Sequence, residues 1–252
     1  MLLGLVFLAL LPDRPANAHW LSAEQRAWLQ DRLDRECAAA EGGRPFALSD
    51  VLRDGRVWSL AILFGCALVG IYGLLIWLPQ IIKSMGHLTD IQIGLLSAVP
   101  PLLGVIGTIL VSYSSDRTGD RKKHLAAVYI LAGVALGASA VAPGPRIAYV
   151  LLCVAGLGIN SGNSLFWSLN ASFMTGVAAA ASIAFVNTVV QFGGLIGPWM
   201  IGFVKGSTGS FALALLVLAA FLLIAAVIAL LLRTTPRGNA EAAAAGAAET
   251  PF

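Results

Sequence analysis

Five polar or amphipathic side chains, Asn160, Asn163, Ser164, Trp167 and Asn170, recur at steps of three and four within one apolar stretch, and so share one broad helical face. In a second apolar stretch Asn187 and Gln191 stand one turn apart. Amides and hydroxyls donate and accept hydrogen bonds without ionising near neutral pH, so the chemistry open to them is recognition of polar groups. The indole of Trp167 adds an apolar platform with a single N–H donor. The same amides could instead join neighbouring helices. Both readings expect them inside the bundle or against a water-filled cavity, because an amide facing lipid has no partner.

Catalytic chemistry lacks its usual groups. No Asp, Glu, Lys or Arg falls inside the apolar spans delimited below, so there is no intramembrane acid, base or carboxylate relay. His19, His87 and His124 lie in a polar linker or at loop edges. Cys37, Cys66 and Cys153 are widely separated, with neither a CxxC pair nor a Cys/His cluster to suggest a disulfide framework or zinc. No cofactor, metal site or enzymatic activity is expected.

These residues are positioned by elements that composition identifies. Of 252 residues, 58% are hydrophobic and 12% charged, against about 25% charged in a soluble domain. Six apolar stretches, at about 57–80, 91–115, 124–142, 147–170, 178–203 and 210–232, approach or exceed a hydrocarbon core of about 30 Å at about 1.5 Å per residue. Short connections make neighbours antiparallel, and alternating ten-residue strands are absent, so an all-α polytopic membrane protein with a six-helix bundle over 57–232 is expected, not a barrel. Gly156, Gly158 and Gly162, Gly193, Gly194 and Gly197 before Pro198, and Pro100-Pro101 with Gly104 and Gly107 permit close helix approach and bending.

Residues 12–56 are the most polar region. Within them Leu21 to Cys37 sets Trp28, Leu29 and Leu33 on roughly one face, with Ser22 as N-cap, and reads as a short amphipathic helix in a linker. Leu2 to Leu11 is too short to cross a bilayer. A cleavable leader is a possible reading, since Ala16-Asn17-Ala18 resembles a small-residue cleavage site, but no Lys or Arg precedes the apolar run. The end of a truncated helix over 1–11 is the preferred expectation, with a disordered Ala-rich tail over 233–252.

Lys and Arg alternate in density from loop to loop. The linker holds Arg14, Arg26, Arg32, Arg35, Arg44, Arg53 and Arg56; the loop after the second span holds Arg117, Arg121, Lys122 and Lys123; the tail holds Arg233 and Arg237. That makes thirteen against three, Lys83, Arg146 and Lys205, on the other side. The positive-inside rule puts linker and tail in the cytoplasm, with an even number of crossings in the cell (inner or plasma) membrane and the bilayer as partner. No basic stripe with interleaved aromatics supports nucleic-acid binding.

The loop Asp116-Arg117-Thr118-Gly119-Asp120-Arg121-Lys122-Lys123 is more particular than charge balance requires. It resembles the D-R-x-G-R-R/K signature of the major facilitator superfamily, whose copies follow the second and eighth helices. Asp120 replaces the first of the paired basic residues, and Ser112 stands where Gly usually precedes the Asp by four; a degenerate copy suits the second half of that fold. Leu11-Pro12-Asp13-Arg14-Pro15, Trp20 to Arg26, Trp77-Leu78-Pro79-Gln80-Ile81-Ile82-Lys83, and Thr175-Gly176 with the run to Asn187 and on to Gly197-Pro198 resemble the anion:cation symporters, which include phthalate, tartrate, glucarate and galactonate permeases.

The resemblance implies that the spans are helices seven to twelve of a twelve-helix transporter, with Leu2 to Leu11 ending helix six. An N-terminal six-helix half, in the same chain or separate, would be the partner and would supply the carboxylate-binding Arg and the proton-coupling acids. The resemblance puts Tyr72, Ser164, Trp167 and Asn187 on the cavity wall; with Asn160, Asn163 and Gln191 these are the expected contacts of a small organic anion carried with protons. It also implies a gating loop of Asp116, Arg117, Gly119, Arg121 and Lys122, with Asp116 and Arg117 meeting the cytoplasmic end of a helix in the other half. The competing expectation is a truncated or structural membrane fragment without transport of its own.

Overall fold

The computed structural model describes residues 18, 20–41, 52–170 and 176–232, with the side chains of 36–41 and 176–180 excepted. The expected helix end at 1–11, the remainder of the linker with Arg14, His19 and Arg44, residues 171–175 and the tail from 233 lie outside the described residues.

Seven helices follow one another: α1 Ala23–Glu41, α2 Gly55–Lys83, α3 Asp90–Thr118, α4 Arg121–Ala140, α5 Pro145–Asn170, α6 Gly176–Thr208 and α7 Ala212–Leu231, with no strand among the described residues. Six of them, α2 to α7, are long and apolar enough to cross a membrane. Each overlaps a span expected from hydropathy, and the ends differ where local capping chemistry overrides apolarity. Ser22 and Gln25 exchange hydrogen bonds of 3.2 and 3.1 Å between side chain and backbone at the start of α1. Asp54 accepts from the Arg56 N–H at 2.8 Å and starts α2 ahead of its apolar run. Thr89 and Gln92 form the same reciprocal box before α3.

The bundle has one hydrophobic core, with Tyr129, Phe166, Leu60, Leu63, Leu136 and Leu218 among its fully buried side chains. α2 packs along α6 on one side and against α7 on the other; α4 lies between α7 and α5, and α5 carries α3. The α2–α6 contact is made by backbone. A Cβ on Gly193 would run into the Gly65 carbonyl, and one on Gly197 into the Val69 carbonyl, both far inside van der Waals contact. Small residues are how membrane helices gain this packing, since lipid supplies no hydrophobic drive for helix association. Trp77 spans the same seam, donating its indole N–H to the Pro198 carbonyl at 2.9 Å.

α3 and α6 are the least covered spans, with 22% and 28% of their apolar windows buried and the other four between 44% and 56%. Leu102, Ile106, Ile109, Phe192, Leu195 and Trp199 therefore present large apolar side chains outward, as a surface solvated by lipid or protein permits.

Gly193→Val is expected to lower bundle stability by about 1–3 kcal/mol through overpacking, read as a fall in the unfolding midpoint in detergent. Gly206→Ala, where an added Cβ meets nothing within 4 Å, is the control and should leave the midpoint unchanged or raise it.

Candidate functional site

The polar face of α5 does not enter the core. Asn163 and Ser164 are exposed and hydrogen-bond to no described residue. Asn160 is exposed too, but its amide nitrogen donates to the Gly156 carbonyl of its own helix at 2.8 Å and the side chain lies over Gly104 of α3, so it is partly occupied by packing. Asn170, at the edge of this face, is buried with its amide nitrogen unpartnered among the described residues. Asn170 thus lies inside the bundle, one of the two placements expected for these amides, and the others line an open surface.

Trp167 is half-buried in an aromatic corner. Its ring meets Phe166 and Phe64 edge-on, both at 5.3 Å between centroids, while Phe64 and Phe166 stack at 3.9 Å with planes 3° apart. Such contacts fix the indole plane and leave its N–H donor without a described partner. Phe64 belongs to α2, so the corner joins α5 to α2.

A second polar patch joins α2 to α6. Tyr72 packs over Gly194, near enough that a Cβ there would lie 2.9 Å from its ring, and Gln191 flanks the same glycine. One turn earlier Asn187 accepts from the Gln191 amide at 3.5 Å, a long bond that leaves both groups able to take another partner; both are exposed. α5 and α6 do not pack side by side, and α2 stands between them. The seven residues thus form two patches on either side of α2, one centred on Trp167 and one on Tyr72, Asn187 and Gln191. Among the described residues no group of three His, Cys, Asp or Glu gathers to hold a metal. The patches offer neutral donors and acceptors beside aromatic faces, which suits hydroxyl and carboxylate recognition.

At one end of the bundle the 116–123 loop is a tight turn between α3 and α4. Gly119 ends α3 in the left-handed region, φ +70°, its N–H returning to the Ser115 carbonyl at 2.9 Å. Asp120 caps α4, and its carboxyl is held below the ordinary carboxylate range, chiefly by the hydrogen bond from Lys123. Arg121 reaches back to Asp116 at 3.3 Å. Arg117 lies over the Tyr113 ring, 4.6 Å from its centroid. Lys122 donates at 2.5 Å to the Leu232 carbonyl, just past the end of α7, the helix packed beside α4. The replacement at 120 therefore has its own use as a helix cap, while Asp116 remains 66% exposed and open to a further partner.

Two overlapping stretches, residues 1–198 and 87–252, match the sequence pattern of the Major Facilitator Superfamily. The chain belongs to that superfamily. A protein of Agrobacterium vitis named for tartrate transport is 38% identical over 244 residues, which are 96% of this chain and 56% of that protein. The quinolone resistance transporter of Acinetobacter baumannii is 38% identical over 223 residues, 88% of this chain and 51% of its own length. The inner membrane transport protein RhmT of Escherichia coli K12 is 36% identical over 226 residues, again 88% and 51%. The chain spans about half the length of the curated relatives it matches. It is a multi-pass membrane protein of a transporter superfamily and not an enzyme.

Phe64 escaped the sequence reading because one aromatic inside an apolar run carries no signal, and the reach of Lys122 to Leu232 spans 110 positions. Lys122→Met is expected to free the last turn of α7. Losing a charge-assisted hydrogen bond of about 1.5 kcal/mol should speed amide hydrogen exchange there about tenfold. Lys123→Met, which removes only the exposed pair with Asp120, should leave that turn unchanged.

Proposed function

We propose that this chain forms the C-terminal half of a proton-coupled symporter for a small organic anion, a sugar acid or an aromatic or dicarboxylic acid. It works with an N-terminal six-helix half in the inner membrane, with its linker and C-terminal end in the cytoplasm. The observation that carries the reading is the open polar surface on either side of α2, where Asn163, Ser164, Asn187 and Gln191 are exposed on a bundle that turns many large apolar side chains outward. In hydrocarbon such amides would lack partners. They belong where a second half encloses water and substrate near the midplane.

In this reading Asn163, Ser164, Asn187, Gln191 and the Trp167 N–H hydrogen-bond substrate hydroxyls or carboxylate oxygens. Tyr72 and the Phe64–Trp167 corner supply apolar contact for the carbon skeleton, and Asn160 lines the edge. Neutral donors orient an anion without trapping it. The balancing charge and the titrating acids come from the other half, since the spans here carry charged side chains only near their ends. The loop of Asp116, Arg117, Gly119, Arg121 and Lys122 closes the cytoplasmic side, with the exposed Asp116 carboxylate meeting a helix N-terminus of the other half. The relative named for tartrate transport supports the anion class.

With the other half present, Trp167→Ala and Asn187→Ala should each weaken substrate binding about threefold to tenfold, the worth of one hydrogen bond or ring contact, at unchanged protein in the membrane. Equal losses of binding and of folded protein would mean that these side chains only hold helices together. Residues 1–252 alone, reconstituted in proteoliposomes under a proton gradient, should not accumulate substrate; accumulation would overturn the division of labour between halves.

A further inference from the structure

At the end of the bundle opposite the 116–123 loop, Lys83, Arg146 and Lys205 face a single carboxylate, Asp90, among the described residues. Lys205, in the last turn of α6, lines two adjoining cavities. One, of about 490 Å³, is walled by Gln80, Lys83, Ser84 and Lys205; the other, of about 520 Å³, runs on past Ser139 and Ser210 to Phe211. Among the described residues no Asp or Glu lines either, and neither lysine makes an ion pair.

Helix dipoles account for a cation at the C-terminal end of α2 and of α6 separately. They do not account for two like charges converging on one concave surface without a carboxylate, an arrangement that costs repulsion until an anion joins it. Lys205 is also held in place. Its ammonium stands 4.0 Å from the Phe211 ring centroid and 5.8 Å from that of Trp77, whose indole is fixed by the Pro198 carbonyl. Its N–H donors are left over for another partner, as is the exposed amide of Gln80.

We infer that this mouth is an anion-binding vestibule, in which a carboxylate or phosphate group sits between Lys83 and Lys205 and accepts from the Gln80 amide. It is separate from the polar patches beside α2. It rests on the proposed function only in that a free occupant would be the transported anion arriving from outside; an anionic lipid headgroup offers the same chemistry.

The test is amine footprinting of the full chain in phosphatidylcholine nanodiscs at constant ionic strength, with a membrane-impermeant amine-reactive ester and peptide mass spectrometry. Tartrate or inorganic phosphate at about twice its dissociation constant should slow labelling of Lys83 and Lys205 about threefold, while neutral threitol should not. Lys122 and Lys123, at the other end, are the internal references. Lys83→Gln should abolish the protection of Lys205, and Asn187→Ala should keep it. Exchanging part of the phosphatidylcholine for phosphatidylglycerol distinguishes the sources: protection by that lipid without added anion assigns a headgroup as the occupant. Equal labelling with tartrate, phosphate, threitol and phosphatidylglycerol would overturn the inference. Protection in a protein whose Trp167 and Asn187 variants bind substrate normally would keep the vestibule and remove the proposed substrate site.

Discussion

Hydrocarbon supplies neither donors nor acceptors, so a chain crossing it must satisfy its own backbone and keep unpartnered polar side chains away from lipid. The first demand makes every described span helical, with Asp54, Thr89, Gly119 and Asp120 closing helix ends where the chain turns. The second gives the exposed amides of α5 and α6 their meaning. Asn163, Asn187 and Gln191 stand out of the core on faces that lipid would leave unsatisfied, so those faces belong against water, ligand or protein.

α2 is the element through which this pattern is organised. Its backbone touches that of α6 at Gly65 and Val69, its Phe64 completes the corner that orients Trp167, and its Tyr72 lies on Gly194 beside Gln191. A shift of α2 along α6 would move both polar patches at once and carry Trp77 away from the Pro198 carbonyl. Glycine contacts of this kind hold by van der Waals fit alone, which permits close approach without a directional bond to break.

The charged loop at one end and the lysines at the other follow a different logic. Around Asp116 to Lys123 nearly every charge is used locally: Asp120 caps α4 and binds Lys123, Arg121 holds Asp116, and Lys122 ties the turn to the end of α7. Around Lys83 and Lys205 no carboxylate of the described residues answers the charge. A turn whose charges are mostly engaged within the fold and a mouth whose lysines are not suit two different tasks, holding shape and attracting an anion.

The sequence by itself determined that there are six apolar helices in antiparallel succession, because hydropathy and span length are summed over about twenty residues and survive errors at single positions. It also determined which polar residues share a helix face, since that depends only on the 3.6-residue period. Tertiary structure decided the rest. That the Asn160 side chain lies over Gly104 while Asn163 is open, and that Phe64 backs Trp167, depend on contacts between segments far apart in the chain. That Lys83 and Lys205 share one cavity depends on α2 and α6 running side by side with glycine between them. Local sequence fixes the direction in which a side chain leaves its helix; the neighbouring helix determines what it meets there.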